Sequence, residues 1–200
     1  MWYLATKVKE VISISGHIVV GKTKATNFVA EVIGGAPIHV DEIQDEIFSL
    51  YPSFFESVYH TKPKDTKDAR VIRRQGTAEQ ERIYLEIIKP QVIKLLNECV
   101  INNSGNGKRS IVDWVRSAET GLWFPDTSIL IDSPQELRIE QYNKRHRFND
   151  LNIARDILLK RDQTHQDAVN KASNAKYKIT NLFTDNFEKQ LLDVCQDITN

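Results

Sequence analysis

The chain has 200 residues, 40% hydrophobic and 27% charged, which is the balance of a globular protein and excludes a disordered one. Lysine plus arginine equals aspartate plus glutamate at 27 each, so no bulk field draws nucleic acid or an anionic membrane. Any anion site must therefore be local.

Residues 11–14, Val-Ile-Ser-Ile, are short and rich in β-branched side chains, and they stop at Gly16 as a buried parallel strand would. Residues 23–32 then read as a helix closed by Gly34 and Gly35. A second strand is predicted over 37–40 and a second helix over 41–50. Residues 51–68 hold two prolines and several charges and are expected to be irregular. The period of Tyr84, Ile88, Val92, Leu95, Leu96 and Cys99 predicts a long amphipathic helix over 78–100. Residues 102–107 are Asn, Ser and Gly and read as a loop. Third and fourth strands are predicted at 111–114 and 128–131, with charged helices over 134–145 and 149–160. A fifth strand at 177–179 precedes a closing helix from Asp185. Alternating strands and helices imply an α/β fold, a three-layer arrangement with a five-stranded parallel sheet. Ligands of such sheets bind beyond the carboxyl ends of the strands.

Beyond the first strand stand Gly16, His17, Ile18, Val19, Val20, Gly21, Lys22 and Thr23, which match the phosphate-loop pattern G-x-x-x-x-G-K-[ST]. A loop of that length wraps a phosphate with main-chain N–H groups, and the helix behind it points its positive end inward. Lys22 would bridge the outer phosphates of ATP, the Thr23 hydroxyl would hold Mg²⁺, and Lys24 continues the nucleotide-binding segment. Val19 and Val20 stand where small residues are usual, and β-branched side chains resist a positive φ. His17 lies within the loop with no partner evident from the sequence.

Asp41 follows the second strand. It reads as a helix N-cap or as the group that accepts a proton from an attacking hydroxyl. Asp113 closes the third strand, as a strand-end cap or as part of the magnesium shell. His39, between Ile38 and Val40, is expected to point to the opposite face from both of those neighbours and reads as structural. A basic block at Arg138, Lys144, Arg145, His146, Arg147, Arg155, Lys160 and Arg161 reads as a solvated hairpin, or as a lid over 138–162 that closes arginines on the phosphates.

Together these segments resemble the dephospho-coenzyme A kinase family, which transfers a phosphate to the 3′-hydroxyl of dephospho-CoA. The family's loop, Gly-Gly-Ile-Gly-Ser-Gly-Lys-Ser, aligns with residues 16–23 without a gap. Its Ile-Asp-Ala-Asp is similar to Ile38, His39, Val40 and Asp41, so Asp41 stands at the catalytic aspartate. Its Leu-x-x-Ile-x-His-Pro is similar to residues 84–90, with Lys89 where the family has histidine. Its Asp-Val-Pro-Leu-Leu-Phe-Glu and Gly-Leu resemble the stretch from Asp113 to Glu119 and Gly121-Leu122. Arg145 matches the first lid arginine, Arg155 falls near the second, and Asn181 ends the adenine-side loop. Arg70 loosely matches an arginine before the long helix.

The resemblance implies one P-loop kinase domain over 1–200 with an acceptor-side helical region over 42–101. ATP and Mg²⁺ would serve as cofactors, and a small nucleotide-like molecule as the acceptor. Asp41, Lys22 and Arg145 would be catalytic, while Asp41, Arg70, Lys89 and Asp113 would bind the acceptor. The stretch from Val112 and Asp113 through Arg116 to Glu119 is also similar to phage-type deoxynucleotide kinases, so a nucleoside or deoxynucleoside monophosphate remains an alternative acceptor. A non-catalytic nucleotide-binding relative is a further one.

No apolar run approaches the roughly 18 residues that span a bilayer. Residues 1–10 place Lys7 and Lys9 after few apolar residues and do not read as a secretory leader. Cys99 and Cys195 lack metal-ligand spacing and are expected to be buried thiols of a reducing compartment. A cytoplasmic enzyme follows, a monomer or weak homo-oligomer without nucleic-acid or membrane partners.

Overall fold

The computed structural model describes residues 9–114 and 125–200. The readings on Arg116, Glu119 and Gly121-Leu122, and on residues 1–8, lie outside the described residues. Five strands, β1 (Val11–Ser15), β2 (Ala36–His39), β3 (Ser110–Asp113), β4 (Thr127–Asp132) and β5 (Tyr177–Thr180), form one sheet in the order β2-β3-β1-β4-β5. Every pairing is parallel. β1 takes the centre because all five of its residues are apolar or small enough to be buried on both faces.

The alternation of side chains along β3 sends Val112 to one core and Ile111 to the other. Ile111 meets Ile12, Ile14, Ile129 and Ile131 beneath α1 (Lys22–Ile33) and α8 (Asn186–Thr199). Val112 faces the opposite layer, built from α2 (Val40–Leu50), α3 (Pro52–Tyr59), α4 (Thr66–Gln75) and α5 (Ala78–Gly105). The remaining helices, α6 (Gln135–His146) and α7 (Leu151–Lys171), pack on each other around Ile139, Tyr142, Ala154 and Leu158. The expected three layers and five parallel strands are present.

Residues 51–68 are not irregular. Pro52 occupies the first turn of α3, where its missing N–H costs nothing, and the Asp65 carboxylate caps α4 by accepting from the Asp68 amide. Both prolines of that stretch therefore lie at or outside helix ends. Phe55 holds α3 down, stacked on Tyr59 at 4.5 Å and edge-on to Tyr84 at 5.6 Å. The expected loop over 102–107 is also shorter, because α5 runs on to Gly105. Its last carbonyls are satisfied locally: the Asn103 carbonyl accepts from Lys108, and the Asn102 carbonyl accepts from the Asn106 side chain. α7 likewise continues to Lys171, beyond the predicted end at 160. Among the described residues no helix is long and apolar enough to cross a membrane.

Candidate nucleotide site

β1 ends at the point where the sheet order departs in two directions, toward β3 on one side and β4 on the other. Such a point leaves a crevice beyond the strand ends. The loop 16–21 fills it and leads directly into α1. Gly16 has φ 143°, and a Cβ there would stand 2.2 Å from the Ile131 carbonyl oxygen. Gly21 has φ 95°, with a Cβ position 2.7 Å from the Asn181 amide nitrogen. Both glycines of the motif are thus demanded by close approach and by backbone shape. Gly21 caps α1 without a side chain, so the first amides of that 12-residue helix are left for an anion.

Lys22 is half-buried, and its ammonium donates to the His17 carbonyl at 2.9 Å. Burial pulls its pKa below the ordinary lysine value, against the opposing pull of Asp113 and Asp41. A cation held in this way is short of compensation and favours an anionic ligand. The Thr23 hydroxyl donates to Asp113 at 2.9 Å. His39 stands 3.6 Å from the same carboxylate. Burial pushes the Asp113 pKa up, but His39, Lys22 and Thr23 outweigh it and hold the group below the usual carboxylate range. His39 is raised in turn by Asp113.

The alternation expected of β2 holds: Ile38 and Val40 enter the core with Val112, and His39, paired in register with Asp113, points away from them to that carboxylate. Its other nitrogen lies 3.0 Å from the Asn27 side-chain oxygen.

These residues open on a cavity of about 400 Å³, within the range of small-molecule sites. Asp41 lines it beside Lys22, exposed and not engaged as a cap, since α2 has no side-chain cap. The far wall comes from α4 and α5. There Arg73 makes a bidentate bond to buried Glu81 at 2.6 and 3.0 Å, reaches Gln44 at 3.3 Å, and lies 5.1 Å over the Tyr84 ring. The Tyr59 hydroxyl completes the satisfaction of Glu81 at 2.9 Å. Despite burial, Arg73 drives the Glu81 pKa down to about 2. Arg70 is paired with Asp45.

A third wall is basic. Among the described residues no carboxylate lies within ion-pair distance of Arg74, Arg145 or Arg161, all of which line the cavity. Their field, added to burial, holds His146 down at about 4.

Of the expected site residues, Ile18, Val19, Gly21, Lys22, Thr23, Lys24, Asp41, Arg70, Asp113 and Arg145 meet at this cavity. Asn181 supports the loop from behind: its buried amide donates to the Val20 carbonyl at 2.9 Å, while its oxygen accepts from Phe183. Val20 is fully buried in the core beneath α1.

Two residues are not brought in. Arg155 turns outward to Glu136 at 2.8 Å, because its position on α7 faces the exposed side of α6. Lys89 lies beyond the cavity, 4.0 Å from Glu86 one turn earlier on α5. Arg161 occupies the cavity where Arg155 was expected, and Arg73, Arg74, Glu81 and Gln44 were not foreseen. Arg161 carried a signal as part of the basic block. The acceptor-side network carried none, because its partners come from three separate helices.

A nucleotide phosphate fits the donors that loop 16–21, Lys22, Arg74, Arg145 and Arg161 provide. Mg²⁺ suits the hard oxygens of Thr23 and Asp113, since it takes few protein ligands beside phosphate and water. Among the described residues no group of three or more His, Cys, Asp or Glu side chains gathers at one metal position.

Parallel order β2-β3-β1-β4-β5, a glycine-bounded loop at the end of β1 and a half-buried lysine opening α1 define the P-loop kinase fold. Among solved structures, the chain is similar to the protein TT1252 from Thermus thermophilus, with a TM-score of 0.69 and 18% identity over 96% of this chain and 97% of that one. It is similar to dephospho-CoA kinase from Campylobacter jejuni at a TM-score of 0.56 and 18% identity, covering 96% and 98%. It is similar to shikimate kinase from Bacteroides thetaiotaomicron at 0.50 and 11%, covering 95% and 98%. These likenesses are of fold. No protein-family model matches the chain, and a search of curated proteins gives no match.

Proposed function

We propose that this protein is a cytoplasmic kinase that transfers the γ-phosphoryl group of ATP to the 3′-hydroxyl of dephospho-CoA, the last step of coenzyme A biosynthesis. The observation that carries the reading is the convergence of Lys22, the Thr23–Asp113 pair and Asp41 on one cavity at the ends of β1 and β3. Lys22 exchanges its loop carbonyl for phosphate oxygens and neutralises charge that grows during transfer. Thr23 and Asp113 would hold Mg²⁺, which would supply further charge neutralisation at the phosphates. Asp41, next to the lysine and free of a capping role, orients the acceptor hydroxyl and takes its proton. Arg145 and Arg161 face the transferring group from the α6–α7 hairpin, which would exclude water.

A second reading, a nucleoside or deoxynucleoside monophosphate kinase, is favoured by the basic wall. Arg74 on the acceptor side suits an acceptor that brings its own phosphate. A coupled assay with Mg·ATP against dephospho-CoA and the monophosphates separates the two, because turnover is expected on one class only. Binding of Mg·ATP with no turnover on any acceptor would instead identify a non-catalytic nucleotide-binding protein. The chain is taken to act as a monomer or weak homo-oligomer.

A further inference from the structure

The phosphate loop has a peculiarity that its motif does not explain. Val19 sits at φ 62°, in the left-handed region, where a β-branched residue is strained. A glycine would hold this shape without cost; valine holds it only if the surroundings impose it. The surroundings are the α6–α7 hairpin. Ile18 and Val19 pack against the small apolar cluster of Ile139, Tyr142, Ala154 and Leu158 between those helices.

A polar connection runs beside that contact. Arg138 of α6, only 5% exposed, binds Asp162 of α7 through two parallel bonds of 2.9 and 2.8 Å. The same guanidinium donates to the Ser133 carbonyl at 3.2 Å and reaches the Ile18 carbonyl of the loop at 3.4 Å. On its other side the Asp162 carboxylate stands 3.2 Å from His17 Nδ1, in direct polar contact.

We infer that Asp162 is a positioning residue for the phosphate loop: clamped by Arg138, it ties the α6–α7 hairpin to His17 and Ile18 and so imposes the strained shape of a loop that lacks glycine at Val19. The base of the hairpin is then a fixed strut for the nucleotide site. Any closing movement is confined to the far end, around Arg145 and the turn to α7. The competing account is that Arg138 and Asp162 merely staple α6 to α7, with the loop indifferent to them. The two accounts differ in what the loop does when the carboxylate loses its charge.

The inference rests on the kinase reading only for its effect on nucleotide affinity, so the deciding measurement needs no ligand. Amide hydrogen exchange over residues 16–24 of the nucleotide-free protein is compared in wild type, Asp162→Asn, His17→Asn and the double variant. The loop is expected to exchange about tenfold faster in each single variant, with β1 and β3 unchanged. The double variant should exceed the larger single by less than twofold, because both remove one connection. Asp156→Asn, an exposed change on the same helix, should leave the loop at its wild-type rate.

Calorimetry with Mg·ATP should show about tenfold weaker binding in Asp162→Asn. Loop exchange within twofold of wild type in folded Asp162→Asn would overturn the inference, as would equal acceleration by Asp156→Asn. If Asp162→Asn does not fold, His17→Asn decides alone, since it lies outside the helix pair. Failure of wild type to bind any adenine nucleotide would remove the kinase reading and leave the exchange result to stand or fall by itself.

Discussion

The two sides of the cavity recognise charge by different means. On the nucleotide side the loop and the start of α1 present main-chain amides, backed by one half-buried lysine, and the shape depends on two glycines that tolerate no Cβ. On the acceptor side the wall is made of side chains, with Arg73 and Arg70 already committed to Glu81 and Asp45. A committed guanidinium is a fixed surface. One with no carboxylate partner among the described residues, such as Arg74, Arg145 or Arg161, is a candidate binding group. The difference teaches that the count of arginines near a site says little until their carboxylate partners are known.

The sharpest way to break the contrast is Lys22→Ala. It should lower turnover by about 10³ with the fold intact, because the lysine acts on charge that develops during the reaction. Circular dichroism and steady-state kinetics together check this, and wild-type turnover in a folded variant would end the assignment. Asp41→Asn comes next, with a loss of about 10² in turnover and little change in Mg·ATP affinity. Equal losses in turnover and in affinity would make Asp41 a structural residue of α2.

A smaller effect separates two arginines of one helix. Arg161→Ala should raise KM by about tenfold, as expected for loss of a charge-assisted contact, whereas Arg155→Ala should stay near wild type because its partner is the exposed Glu136. The reverse ranking would restore Arg155 to the site.

The smallest effect concerns His146. Burial and the cations Arg74, Arg145 and Arg161 hold its pKa at about 4, below the unfolded value of about 6.5. The unfolded state therefore binds a proton first, and this contribution to stability is complete above about pH 6.5 and is lost as pH falls toward 4. Chemical denaturation across that window should show a decline that His146→Gln lessens. Titration of the ring by NMR should also show its pKa rising when an anion neutralises the arginines.

Much of the scaffold was legible because it obeys simple periods. The five strands were recognisable as short apolar runs punctuated by turns, and β1 with its loop carried a motif whose spacing follows from the size of a phosphate. Errors fell where local chemistry is ambiguous. Pro52 and Asp65 start helices as readily as they break them, so 51–68 looked irregular while it holds α3 and the start of α4.

What the amino-acid order determined by itself is the parallel sheet and the glycine-bounded anion loop with Lys22 and Thr23 behind it. Those depend on backbone geometry and on neighbours within a few residues. Tertiary structure alone decided that Arg161 rather than Arg155 enters the cavity, that Arg73 is neutralised by Glu81, and that Asp162 meets His17 across 145 positions of chain. Side-chain charges acquire their roles from partners, and partners distant along the chain are chosen only when helices pack.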